Sequence, residues 1–160
     1  MTPQPSITGV ESVVFYRDPM AALRWLERAF GFETNLLVTD DQGQVAHATM
    51  AAGPTTLGVG GEWASPELLG PAALVSPASL EGRGTQFVRI RLADGIDAHC
   101  ERARAAGARI VQEPEDQFYG DRTYRVLDPE GHVWNFNQPL ADVSTGEMEQ
   151  RSGLTIRTSL

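Results

Sequence analysis

Apolar and polar positions follow a strand period and then a helix period in the first part of the chain. Residues 6–16 are rich in valine and aromatic side chains, which favours a strand. Residues 19–30 then carry apolar side chains at helical spacing. These apolar positions are Met20, Leu23, Leu26, Ala29 and Phe30. The pattern predicts a strand followed by an amphipathic helix.

Capping residues mark both ends of this helix. Asp18 can accept free amide protons of the first turn, and Pro19 suits the first helical position, where no amide proton is needed. Gly31 can adopt the left-handed conformation that ends a helix. The same signals predict a second helix that is capped by Asp94 and closed by Gly107, and both pairs of end signals are 13 positions apart.

Each predicted helix is preceded by one strand and followed by three. Turn residues separate the strands, and the last two, 121–127 and 132–138, are joined by the sequence DPEG, which is typical of a tight hairpin. The chain is thus predicted to contain two equivalent strand–helix–three-strand modules. An α+β fold with two half-sheets that close on each other is expected.

The predicted organisation is a single domain over residues 1–138. Its modules span 6–60 and 84–138, and a connector at 61–83, with three prolines and no clean period, is expected to lie over the surface. The tail at 139–160 is polar, which is typical of disorder, although it could also pack against a partner subunit. Trp63 in the connector would suit such an interface.

Composition narrows the classes of partner. The 160 residues carry a formal net charge of −8, and an acidic surface repels phosphate backbones, so no nucleic acid partner is expected. No apolar stretch approaches the roughly 20 residues that span a bilayer, and the first residues lack the features of a signal peptide. The single cysteine, Cys100, forms no intrachain disulfide. These observations predict a cytoplasmic protein that does not enter a membrane.

The paired modules, the sequence AFGFE after the first helix and the sequence YGDR…DPEGHVW near the end carry a family resemblance. The chain resembles the vicinal oxygen chelate superfamily of glyoxalase I, bleomycin-resistance proteins and extradiol dioxygenases. The resemblance implies two tandem βαβββ modules that form curved mixed sheets around a cavity. It also implies a homodimer. Within this superfamily, the chain most resembles the metal-free bleomycin-resistance-like proteins.

The resemblance also implies four positions from which metal-using members draw their ligands. Carried over one at a time, these positions fall at Glu11, near Gly58, at Phe87 and at Asn135. Only Glu11 is a usual ligand, because glycine and phenylalanine have no coordinating side chain and an amide oxygen is a weak ligand. No metal site and no cofactor are therefore expected. A divalent metal in a rearranged site is the alternative.

Strand alternation predicts which side chains line the cavity. Trp134 and Phe136 belong to the helix side of the last strand, and Ala46, Ala48 and Met50 belong to the core. The opposite faces carry the predicted ligand-binding residues, together with Tyr119 in a loop that could fold over the cavity mouth. These residues are Phe15, Thr49, Phe87, Arg89, Tyr119, Asn135 and Asn137.

Two further residues on these faces are candidates for catalysis. Glu11 and His47 could act as general bases, although Glu11 could equally be a solvated edge residue and His47 a satisfied sheet histidine. Arg89 could pair with a carboxylate or phosphate on the ligand, or be an ordinary surface arginine. His132 is interpreted as a turn residue rather than a catalytic one.

Three functions remain open from the sequence. The first is a metal-free protein that binds a small, partly aromatic molecule for sequestration or resistance. The second is a metal-dependent lyase, isomerase or dioxygenase, with Glu11 and His47 on one ion. The third is a metal-free enzyme that uses His47 or Glu11 as a base. Whether the protein is an enzyme stays open.

Overall fold

The computed structural model describes residues 6–159, which divide into two compact units. Residues 6–27 and 31–75 form the first unit, and residues 28–30 and 76–159 form the second. The last residues of the first long helix therefore belong to the second unit.

The first unit contains one strand, one long helix and three further strands. They are β1 (Ser12–Tyr16), α1 (Pro19–Phe30), β2 (Glu33–Thr39), β3 (Val45–Ala52) and β4 (Thr55–Gly61). The strands form a four-stranded sheet in the order β1-β4-β3-β2. β1 runs parallel to β4, and the other neighbours are antiparallel. This is the first predicted module.

The predicted caps of α1 are confirmed. Asp18 Oδ1 accepts a hydrogen bond from the Ala21 amide at 2.9 Å, and Gly31 ends the helix with φ of 73°. One face of the sheet is buried, as alternation predicts, through Val14, Tyr16, Ala48, Met50, Leu57 and Val59. Ala46 is exposed rather than in the core, because a bulge between Val38 and Thr39 shifts the register there.

The second unit repeats the arrangement. After a connector it contains β7 (Val88–Arg91), α3 (Ile96–Ala105), β8 (Arg109–Asp116), β9 (Asp121–Leu127) and β10 (Val133–Pro139). The sheet order is β7-β10-β9-β8, with β7 parallel to β10. The predicted α+β class with two tandem βαβββ modules and mixed sheets is confirmed.

The predicted cap of α3 at Asp94 is wrong. The residue at the cap position is Gly95, with φ of 68°, and it offers no side chain to the free amides. Gln138 on β10 replaces the cap, since its Oε1 accepts a hydrogen bond from the Ile96 amide at 3.0 Å. Gly107 has φ of 87° just beyond the helix, as expected of a glycine stop.

The connector contains short elements rather than only irregular chain. They are β5 (Trp63–Ala64), α2 (Pro66–Leu69), β6 (Ala73–Leu74) and a 3₁₀ turn (Pro77–Leu80). The polar tail contains α4 (Thr145–Ser152), whose capping box joins Ser144 and Glu147. This reciprocal bonding explains how a polar segment forms a helix here. No helix among residues 6–159 is long and apolar enough to cross a membrane.

Candidate ligand-binding faces

In the first unit, the sheet face opposite the buried one is covered by side chains of β1. Val13 is level with Gly58, and Phe15 is level with Gly60. A Cβ atom on Gly58 would lie 2.8 Å from Val13 Cγ2, and one on Gly60 would lie 3.3 Å from Phe15 Cε1. The two glycines therefore leave room for an apolar cover of β1 side chains over β4.

The predicted residues Glu11 and His47 are both exposed, and they lie at opposite ends of this sheet. Glu11 precedes Ser12, which is level with Leu57 and, through it, with Met50. His47 is three residues from Met50 along β3, on the side away from Glu11, so the two are offset by about 13 Å along the strands at the usual rise per residue. The register does not bring them to one ion.

Thr49 is level with Gly58 on this face and is half-buried. Its hydroxyl donates a hydrogen bond to Asn35 Oδ1 at 2.5 Å, which fixes the hydroxyl against the neighbouring strand. Phe15 is also half-buried, as a partly accessible wall residue would be.

In the second unit, the face opposite Trp134 and Phe136 is polar. The strand register aligns Arg89, Asn135, Arg125 and Gln112 in one row across all four strands. Arg125 Nη1 donates a short hydrogen bond to Gln112 Oε1. We refer to these four residues as the arginine–asparagine row.

Asn137 and Asp121 connect to this row through Arg89. Arg89 Nε donates to Asn137 Oδ1 at 3.0 Å, and its Nη2 lies 3.3 Å from Asp121 Oδ2. Asn137 Nδ2 donates to the same carboxylate oxygen at 2.7 Å. The predicted residues Arg89 and Asn137 thus share one network, and its buried acid, Asp121, was not among the predicted site residues.

Arg125 and Gln112 were also absent from the predicted site. Buried Tyr124 and Val126 flank Arg125 on β9, so the alternation that placed Asn135 could have found Arg125 as well. Gln112 had no such signal, because bulges on either side of it in β8 interrupt the alternation.

Phe87 and Tyr119 lie outside the regular strands. Phe87 directly precedes β7 and is 54% exposed, so its ring is available to a ligand. Tyr119 lies in the turn before β9, where its ring meets Phe118 edge-on at a centroid distance of 5.1 Å. Leu140 and Ala141 both donate amide hydrogen bonds to Gly120 O, which fastens this turn to the segment after β10.

The residues at the metal-ligand positions of the family do not fit a metal ion. The space that a side chain at position 58 would need is filled by Val13, and Phe87 has no donor atom. Residues 6–159 contain no group of three or more His, Cys, Asp or Glu side chains arranged to hold an ion.

The remaining titratable groups of chemical interest are packed in the core of the second unit. Burial lowers the pKa of His99, whose Nδ1 lies 2.7 Å from Tyr124 Oη and whose Nε2 lies 3.1 Å from Phe30 O. Burial raises the pKa of the Cys100 thiol to about 11, which makes it a poor nucleophile. Burial likewise raises the pKa of Tyr124.

A cleft of about 420 Å³ lies elsewhere in the first unit, beside the start of α1. Its lining includes Arg17, Arg24, Gly43 and Val45, and none of the predicted site residues.

The chain belongs to the glyoxalase/bleomycin resistance protein/dioxygenase superfamily, whose family model matches residues 9–136. An uncharacterised protein of Mycobacterium bovis, Mb0911c, is 30% identical over 132 residues, which cover 82% of this chain and 84% of that protein. An uncharacterised protein of Mycobacterium tuberculosis is 30% identical over 132 residues, with 75% of its length covered.

Solved structures support the same assignment. TioX from Micromonospora sp. ML1 is 33% identical, with a TM-score of 0.63 over 82% of this chain and all of that one. TnmS3, an antibiotic binding protein from Streptomyces sp. CB03234, is 22% identical, with a TM-score of 0.63 over 85% of this chain and 99% of that one. At this lower identity the likeness shows the fold alone.

Proposed function

We propose that the protein binds a small, partly aromatic molecule without a metal ion and acts by sequestration or resistance rather than by metal-dependent chemistry. The observation that carries the proposal is the chemistry of the four family ligand positions. Glu11, Gly58, Phe87 and Asn135 do not form a donor set for an ion, and a β1 side chain covers position 58.

The side chains near these positions support a binding role. On the face of the first unit, Phe15 provides aromatic surface and Thr49 a hydroxyl oxygen. On the face of the second unit, exposed Phe87 provides aromatic surface and Asn135 an amide, while buried Asn137 holds Arg89 in place. Small-molecule sites typically combine apolar walls with a few such polar groups. TnmS3 is an antibiotic binding protein of the same fold, so antibiotics belong in the first set of ligands to test.

The proposal is tested by two measurements on untagged protein purified without chelator. Elemental analysis is expected to find only trace metal. A panel of aromatic metabolites and antibiotics is then screened for thermal stabilisation, because a ligand that binds only the folded state raises the melting temperature. Hits are confirmed by calorimetric titration.

Substitutions on the second-unit face test whether a confirmed ligand binds there. Phe87→Ala and Asn135→Ala are each expected to weaken binding about tenfold, the usual scale for one good contact. Gln150→Ala, on the exposed side of α4, is the control and should bind as the wild type does. One equivalent of tightly held metal per chain would contradict the proposal. The absence of thermal stabilisation by any compound of the panel would also contradict it.

We also propose that the chain forms a homodimer. The support is a run of exposed apolar side chains on the edge strand β2, at Leu36, Leu37 and Val38, each more than 40% exposed. Such runs on sheet edges usually have a partner in solution.

A further inference from the structure

The arginine–asparagine row on the second-unit sheet has the composition of an oxyanion site. Arg89 and Arg125 lie on the two strands that flank β10, with Asn135 between them. Neighbouring strands are about 4.8 Å apart, so both long side chains can reach one small group above Asn135. We infer that this row binds a carboxylate carried on an aromatic body. The inference rests on the proposed binding function and names its ligand class.

Asn135 provides polar atoms that no other described side chain occupies. The residue is only 5% exposed, yet its side chain makes no hydrogen bond to another described residue. No fully buried side-chain nitrogen or oxygen among residues 6–159 lacks a partner, so the amide keeps an opening on its polar side. Its N–H groups can therefore donate to a ligand oxygen in exchange for water.

The charges of the row favour an anion. Arg125 binds only the neutral Gln112 side chain and forms no ion pair within the described residues. Arg89 is held by Asp121, but that carboxylate also accepts a hydrogen bond from Asn137, so it is shared between two donors. The row itself carries two guanidinium groups and no carboxylate, and the carboxylates that touch it are Asp121, on Arg89, and Glu115, whose Oε1 accepts a hydrogen bond from Gln112 Nε2 at 3.0 Å. A cationic ligand would meet two guanidinium groups here, which is unfavourable.

The surface next to the row is apolar. Val133 and Leu127 form the adjoining pair in the sheet register, and exposed Phe87 precedes β7 at the same end. An aromatic ring can lie over these side chains while its carboxylate reaches the arginines. Guanidinium and carboxylate groups form the strongest charge-assisted hydrogen bonds available to this set of residues.

The test compares naphthoate with naphthamide, which share shape but differ in charge. Calorimetric titration of the full chain is expected to show naphthoate binding at least about tenfold more tightly, the scale of one charge-assisted hydrogen bond. Arg125→Gln should remove that preference by weakening naphthoate alone. Arg125→Lys keeps the charge and should retain part of the preference.

Two further variants make the test independent of any single substitution. Asn135→Asp conserves size but places a negative charge in the row, and it should abolish naphthoate binding while naphthamide still binds. Arg157→Gln, at an exposed position of the tail, changes the net charge equally. It should leave the affinities for both probes unchanged.

The outcomes separate this inference from the proposed function. Equal binding of both probes, or a naphthoate affinity that is unchanged in Arg125→Gln, overturns the anion site while the binding function stands. The same holds if the wider panel yields only neutral or cationic ligands. If neither probe binds at millimolar concentration and no compound of the wider panel stabilises the protein, both the anion site and the proposed binding function are overturned.

Discussion

Asp128 in the last hairpin is the residue on which the turn before β10 depends. Its Oδ1 accepts hydrogen bonds from the Glu130 and His132 amides, each at 3.0 Å, and its Oδ2 accepts one from Trp134 Nε1 at 3.1 Å. The interpretation of His132 as a turn residue agrees with its backbone bonds to Asp128. The carboxylate thus connects the turn to a buried tryptophan.

We expect Asp128→Ala to lower the free energy of unfolding by about 2–4 kcal/mol, since it removes the acceptor of three hydrogen bonds, one of them from a buried side chain. Urea denaturation followed by tryptophan fluorescence measures this. Asp142→Ala, at an exposed position, is the control and should stay within about 0.5 kcal/mol of the wild type. A similarly small loss in Asp128→Ala would contradict the assigned role.

Gly120 is a second residue whose role depends on close packing. Its φ is 95°, and a Cβ atom there would lie 2.2 Å from Ala141 O and 2.8 Å from Val143 Cγ2. The glycine therefore lets the segment after β10 lie directly against the Tyr119 turn.

We expect Gly120→Ala to cost more than about 2 kcal/mol of unfolding free energy, because the backbone must shift as well as adopt a strained φ. Gly146→Ala is the matched control, since that helical glycine has open space around its Cβ position. It should change stability by less than about 1 kcal/mol, in the stabilising direction. Thermal and urea melts of both variants compare them directly, and equal stabilities would refute the packing argument.

At the scale of elements, the start of α3 distinguishes a local cap from a tertiary one. Asp94 precedes the helix and predicts a cap, but Gln138 on β10 supplies the acceptor. We expect Gln138→Ala to cost about 1 kcal/mol and Asp94→Ala less than about 0.5 kcal/mol, in line with the usual value of a cap. Urea denaturation of the two variants is the measurement. The reverse order would restore the sequence-based assignment.

His99 connects α3 to the aromatic cluster of the second unit. Its ring centroid lies 4.4 Å from that of Phe136 and 6.0 Å from that of Phe30. Burial is the main cause of its lowered pKa, the hydrogen bond to Phe30 O opposes that effect, and Arg102 adds to it. The folded state therefore favours the neutral ring.

A folded-state pKa below the unfolded value of about 6.5 means that the unfolded chain binds the proton first. The contribution of His99 to stability is present above that pH and is lost as pH falls through 6.5 towards the folded pKa. His99→Gln should therefore flatten the loss of unfolding free energy between neutral and mildly acidic pH. Urea melts across this range test it, with exposed His47→Gln as the matched control, and identical slopes for wild type and His99→Gln would contradict it.

At the scale of the whole molecule, the prediction concerns self-association through β2. The three exposed apolar side chains on β2 are contiguous, whereas Val111 on edge strand β8 is 49% exposed and isolated. We expect the wild type to sediment as a dimer of the 17.4 kDa chain and Leu37→Lys to shift it towards monomer. Val111→Lys is the control. A wild type that stays monomeric at all concentrations would contradict the homodimer.

The sequence by itself determined the elements and their order. Apolar periodicity and local signals such as Asp18, Gly31 and the DPEG turn depend on neighbouring residues only, so they predicted α1, most strands and both modules correctly. Alternation also placed Asn135 and Arg89 on one face. The tail helix α4 was missed, because a capping box stabilises a polar segment that lacks an apolar period.

Only the tertiary structure decided which residues meet across strands. The row of Arg89, Asn135, Arg125 and Gln112 depends on register, and bulges in β8 change that register without a sequence signal. The replacement of Asp94 by Gln138 depends on a strand more than 40 residues away in the chain. Offsets along the sheet likewise separate Glu11 from His47. Contacts between distant segments cannot be read from local patterns, because each is fixed by the packing of the elements that local patterns predict.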